Sequence, residues 1–141
     1  VLWSRKPVPD VTGLMLEHDE EIENINFVYK TLDMLEAARP KVNAIENATI
    51  TSSFKNNLEV GGPNTSKKAA LLWLMKELGI SSDELMCCGD APNDIQMAEL
   101  AGIGVAVANA WGGLKDHVDY ITESNDDDGV GIAIEKFVLK K

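Results

Sequence analysis

Apolar and polar positions along the chain switch between two periods. VTGLMLEH (11–18) is an apolar, β-compatible run, and the acidic DEEIEN after it suits the first turn of a helix. From Ile22 to Ala38 apolar residues recur at Ile22, Ile25, Val28, Tyr29, Leu32, Leu35 and Ala38, close to helical period, with Pro40 as the stop. This spacing predicts a strand and then a helix. NATITSSF and NNLEV follow as two strands across the polar turn KNN. Gly61, Gly62 and Pro63 break the pattern, and a domain boundary is expected there.

Past the break, Ala70, Leu71, Leu74, Met75 and Leu78 form one stripe of a helix over Ser66–Leu78, with Thr65 or Ser66 as N-cap and Gly79 as stop. LMCCG is short and continuously apolar, as a buried strand is. Pro92 suits the first position of the next helix, which ends at Gly102. IGVAVA (103–108) and VDYIT (118–122) are further strands, and Val130, Ala133, Ile134, Phe137 and Val138 mark a last amphipathic helix. Strand and helix repeating at this spacing predict an α/β fold: a parallel, Rossmann-like half-sheet with helices on both faces.

Composition narrows the function classes. A chain of 141 residues, 45% apolar, holds one domain with a real core or pieces of two small ones. Its net charge of −10 argues against a nucleic-acid or anionic-membrane surface and favours a small molecule with a metal. No apolar run approaches the roughly 20 residues of a membrane-spanning helix, and VLWSRKPVPD lacks the apolar block of a signal peptide, so a cytoplasmic protein is expected. Asn47 and Asn64 match a glycosylation pattern that means little without secretion. The chain begins at Val1, without an initiator methionine, and reads as a segment of something longer. Cys87 and Cys88 are adjacent, so on a strand they point to opposite faces and serve as small core residues.

Two features carry chemistry. In MCCGDAPNDIQM (86–97), Asp90 falls at the carboxyl end of a strand, with Asn93 and Asp94 in the first turn of the following helix. Ligands of open parallel sheets sit outside the carboxyl ends of strands, and two carboxylates with an amide suit Mg²⁺. Helix capping by Asp90 and Asp94 is the competing reading. Lys67 and Lys68 stand in a helix's first turn, where the macrodipole disfavours cations. Either both are solvated or they belong to an anion site.

Other signals fail on inspection. GGPNTSKK lacks the glycine before lysine that a nucleotide-binding loop requires, and AGIGVAVANA has two of three dinucleotide-site glycines. SNDDDGVGIAIE approaches a calcium loop at Asp126, Asp128, Gly129 and Glu135, but Ser124 occupies the first place and a strand precedes it. His18 and His117 are isolated.

TSKKAALLWLMKELGI, MCCGDAPNDIQMAELAGIGVAVANA and DYITESNDDDGVGIAIEKF together resemble the C-terminal part of the haloacid dehalogenase superfamily, specifically its Cof-type phosphatases. A serine-lysine helix start, a GDxxND turn, a strand ending in Asn-Ala and an SNDxDGV segment occur in family order over Gly62–Lys136. Residues 1–62 resemble the second half of an α/β cap, leaving 63–141 as the C-terminal half of the core. The resemblance implies a Mg²⁺-dependent phosphatase of a small phosphorylated metabolite, a sugar phosphate among the candidates, acting through a phospho-aspartate.

By that resemblance Lys67 neutralises charge between nucleophile and phosphoryl group. Asp90 ligates Mg²⁺, and Asn93 contacts phosphate or holds the substrate loop. Asp94 orients Lys67 or a metal-bound water, which counts it with both the catalytic and the metal residues. Asn109 is a possible support, and Lys68 is solvated. Departures are GDAP for the commoner GDG or GDS, Ala108 for glycine, and Trp111, which either packs or touches substrate. Nothing matches the DxDGT segment that carries nucleophile and general acid; neither DHVDYIT nor NDDDGV substitutes for it. The expected partner is therefore a missing N-terminal half, or a second copy paired through an exposed sheet edge. The alternative function is a non-catalytic binding or regulatory module that keeps the fold.

Overall fold

A computed structural model describes residues 6–140. Its first element corrects the expected strand at 11–18: Val11–Glu17 form helix α1, started by Asp10, whose carboxylate accepts a hydrogen bond from the Gly13 amide at 2.9 Å. One capping side chain turned a β-compatible run into a helix. A 3-10 turn, Asp19–Glu21, follows.

The predicted helix over 22–38 is also corrected. It divides into strand β1, Asn24–Val28, and helix α2, Leu32–Asn43. Thr31 starts α2 by accepting from the Met34 amide, and Pro40 lies inside the helix instead of ending it. Leu35 and Val42, on either side of the proline, are both buried against Leu58, and this packing carries the helix through one lost hydrogen bond. Strand β1 pairs with a partner remote in sequence, the segment Asn57–Gly61.

Strand β2, Thr49–Thr51, falls within the run expected for it, and β3, Asn57–Gly61, runs one residue past NNLEV to take in Gly61, which was expected to break the pattern. The antiparallel sheet has the order β1-β3-β2, with Ile25 opposite Val60, Phe27 opposite Leu58 and Ile50 opposite Val60. One face is thus apolar and lies on α2. Asn24, Asn26, Thr49, Thr51, Asn57 and Glu59 occupy the other face.

The remaining residues follow the predicted alternation. Helix α3, Lys67–Leu78, is capped by Ser66, which accepts from the Ala69 amide, and closes at Gly79 with φ 67°. Strand β4, Met86–Gly89, leads through a 3-10 turn, Pro92–Asp94, into α4, Ile95–Leu100. Then come β5, Ile103–Ala106, a short α5, Gly112–Lys115, β6, Tyr120–Ile121, and α6, Gly129–Phe137. These strands form a parallel sheet ordered β4-β5-β6. Its core joins Ala98, Ala106, Val107, Ala110 and Leu114. Buried Thr122 seats α6 by donating to the Gly129 carbonyl at 2.7 Å. Cys87 is buried and Cys88 half-buried, and both are free thiols that burial pushes above the ordinary value. No helix among the described residues is long and apolar enough to cross a membrane.

Candidate active site

Strand β4 stops at Gly89, and the chain doubles back over its end. The 3-10 turn swings Asp94 beneath the strand terminus, where it is only 1% exposed. One carboxylate oxygen, Oδ2, accepts from the amides of Asp90 at 2.9 Å and Ala91 at 3.0 Å. The other, Oδ1, accepts from Lys67 Nζ, which reaches across from the first turn of α3. Gly89 makes room for this: a β-carbon there would fall 2.8 Å from Asp94 Cγ and 2.9 Å from Oδ2. Burial alone would raise the Asp94 carboxyl. The Lys67 bond, the two amides and the Lys67 charge outweigh it and hold the group below the ordinary aspartate value.

The cation that looked misplaced at a helix start is thus paired, and its side chain is still 48% exposed, open to a ligand. Lys68 makes no ion pair among the described residues. Asp90 presents the contrasting carboxylate: its backbone is pinned, with its carbonyl accepting from the Trp111 amide at 2.8 Å, while its side chain is exposed and unbonded among the described residues. Of the two aspartates expected at a cation, Asp94 has both oxygens engaged and Asp90 has neither. Asn93 adds an orphan, a buried Oδ1 with no hydrogen-bond partner.

Asn109 stands further out. Its amide nitrogen donates to Asn125 Oδ1, and its Oδ1 accepts from the Asn125 amide at 3.1 Å, so the loops after β5 and β6 are clasped together. A cleft of about 430 Å³ is lined by Asp90, Asn109 and Trp111 together with Phe54 and Lys55 from the turn between β2 and β3. A second, of about 600 Å³, brings Lys67 and Asn93 together with Asn24, Thr51 and Glu59 from the polar face of the antiparallel sheet.

That polar face is internally braced. Asn57, fully buried, accepts from the amides of Ser53 at 3.2 Å and Phe54 at 2.8 Å, and donates to Glu59 at 3.0 Å. Sequence reasoning did not single out Phe54, Lys55 or Glu59 as site residues. The alternation of polar with apolar residues in NINFV and NLEVG was the signal available for Glu59 and its neighbours on that face.

An exposed, unbonded Asp90 carboxylate suits a hard cation, which takes one or two carboxylates and completes its shell with water or phosphate oxygens. Among the described residues no three His, Cys, Asp or Glu side chains converge, so such a cation would rest on Asp90. The half-exposed lysine can meet negative oxygens, and a cation held by the free aspartate would offset their charge.

Known proteins share this architecture. A family model described as haloacid dehalogenase-like hydrolase matches residues 4–134. The 5-amino-6-(5-phospho-D-ribitylamino)uracil phosphatase YcsE of Bacillus subtilis is 43% identical over 90 residues, 64% of this chain and 36% of that protein. A chloroplastic endoribonuclease of Arabidopsis thaliana, YBEY, is 35% identical over 134 residues, 94% of this chain but 23% of that protein. The solved structure of a haloacid dehalogenase-like hydrolase from B. subtilis superposes with a TM-score of 0.80 at 35% identity, covering 90% of this chain and 45% of that one. The chain spans less than half the length of each of these relatives.

Proposed function

The chain belongs to the haloacid dehalogenase-like hydrolases of the Cof type, and from that premise we propose that it forms the charge-neutralising part of a phosphatase for a small phosphorylated metabolite, sugar phosphates included. The observation that carries the reading is the Lys67–Asp94 pair set beside the free carboxylate of Asp90. Residues 1–62 act as part of a cap and residues 63–141 as part of the core, with substrate between the two sheets.

Lys67 binds the phosphoryl oxygens and offsets their charge, while Asp94 fixes where that ammonium group sits. Asp90, with oxygens from the loop and the ligand, would hold the metal, and Asn93 would donate its side-chain N–H to the phosphate or hold the substrate loop. Mg²⁺, when bound, supplies Lewis-acid neutralisation of the same oxygens. Asn109 shapes the wall through Asn125 and touches no reacting atom. The attacking carboxylate and the general acid come from a DxDGT segment, which this sequence lacks; the proposed intermediate is a phospho-aspartate on that segment. Such a segment would pair with the free edge of β4.

A second reading has one observation in its favour. Nearly the whole chain aligns with under a quarter of a plant endoribonuclease, as a unit carried within a larger protein would. A domain of that kind, without the nucleophile, would be a binding module.

The test uses the complete protein that carries this chain and follows phosphate release from an aryl phosphate as Mg²⁺ is added and chelated. Activity that requires Mg²⁺, disappears in Asp90→Ala and falls about a hundredfold or more in Lys67→Ala is the expected result. Undiminished turnover in Asp90→Ala overturns the metal assignment, and no turnover at all favours the binding module.

A further inference from the structure

The cleft beside Asp90 holds more than a phosphate group needs. Trp111 is 45% exposed and Phe54 65% exposed, and both line that cleft and the adjoining cavity of about 390 Å³ that Arg39 also borders. Each ring hangs from a pinned backbone. The Trp111 amide donates to the Asp90 carbonyl at 2.8 Å, and the Phe54 amide donates to buried Asn57 at 2.8 Å. The Trp111 ring lies against Gly113, where any β-carbon would collide with it, so its own loop sets the position of the ring. The two rings do not pair with each other; the aromatic pair among the described residues is Tyr120 with Phe137. Two positioned aromatic rings from opposite sheets, left apart at one cleft, make the walls of a slot for a third. Lys55 adds positive charge at the first cavity; Arg39 at the second is paired with Glu36 at 3.0 Å.

We propose that Trp111 and Phe54 form a stacking subsite for a planar heteroaromatic ring in the leaving group of the phosphomonoester. The ester phosphate lies toward Asp90 and Lys67, and anionic substituents of the ring face Lys55. This rests on the phosphatase reading and names its substrate class.

Its test compares kcat/KM of the complete protein, with Mg²⁺, on a nucleoside 5′-monophosphate, glycerol phosphate and a hexose phosphate. Trp111→Ala and Phe54→Ala should each lower the value for the nucleoside ester about tenfold more than for the other two, mainly through KM. Trp111→Phe should recover most of the loss, and it serves alone where Trp111→Ala does not fold. Equal losses on all three esters, or wild-type turnover of glycerol and hexose phosphates without the nucleoside ester, overturn the subsite and leave the phosphatase standing. Failure to hydrolyse any phosphomonoester overturns both.

Discussion

Lys67 and Asp94, 27 residues apart in sequence, meet at the carboxyl end of β4, so the first turn of α3 is fastened to the loop that presents Asp90. The macrodipole disfavours a cation at a helix start by about 0.3–1 kcal/mol. A buried carboxylate facing Lys67 offsets that.

Asp94→Ala removes the acceptor of two backbone amides as well as the partner of Lys67. Orphaning those amides should cost about 2–4 kcal/mol of stability. Urea unfolding measures it, and a loss below about 0.5 kcal/mol would contradict the bonding described for the turn.

The same carboxyl, held below the ordinary 3.8, sets the sign of an acid dependence. Folded Asp94 binds its proton less readily than unfolded Asp94. Its contribution is therefore complete above the ordinary aspartate value and is lost as pH falls through the lower folded value. Between about pH 6 and about pH 3, without metal, the urea midpoint of the wild type should fall further than that of Asp94→Asn. Parallel declines would refute the assignment.

Gly89→Ala places a methyl group against the Asp94 carboxylate. The expected cost is about 1–3 kcal/mol, with a larger fractional loss of phosphatase activity in the complete protein as Lys67 loses its fixed partner. An alanine variant as stable and as active as the wild type would mean that the turn relaxes freely.

Strand β4 pairs only with β5, so its other edge has no partner among the described residues. An unpaired apolar edge such as MCCG templates pairing with another chain. The 141-residue chain alone should sediment as dimer or larger species, and the complete protein as a compact single species. A monodisperse monomer of the chain at high concentration would show that the edge is protected.

How legible the fold was depended on how local its causes are. Helix α3 carries its own signals, Ser66 at one end and Gly79 at the other, and β4 and β5 are short apolar runs bounded by glycine. Asp90, Asn93 and Asp94 lie in the strand-to-helix turn where the sequence put them. By contrast β1 is a strand paired at five positions with β3, some 30 residues on, and its short alternation, NINFV, was masked by the helical spacing that runs through it from Ile22 to Ala38. The Asp10 cap is a single side chain that outweighs the β-compatible look of the residues after it. Phe54 and Trp111 share a cleft only because two loops from different sheets meet, an arrangement that lies in tertiary packing and not in the order of residues.

The antiparallel sheet sorts its residues by odd and even number. Ile50, Leu58 and Val60 turn inward to α2, and Ile25 and Phe27 stand on the same face; Asn24 and Asn26, Thr49 and Thr51, and Asn57 and Glu59 stand on the other. Parity in β3 is counted from the turn at 52–56, so one residue inserted or deleted there, with the strand pairing kept, would exchange its two sets wholesale. Glu59 would be driven against Leu35, and Leu58 and Val60 would face the crevice. Point substitutions on the outward set leave the inward set untouched. The sheet can therefore drift in what it recognises one residue at a time, while a change in the length of that turn is closed to it.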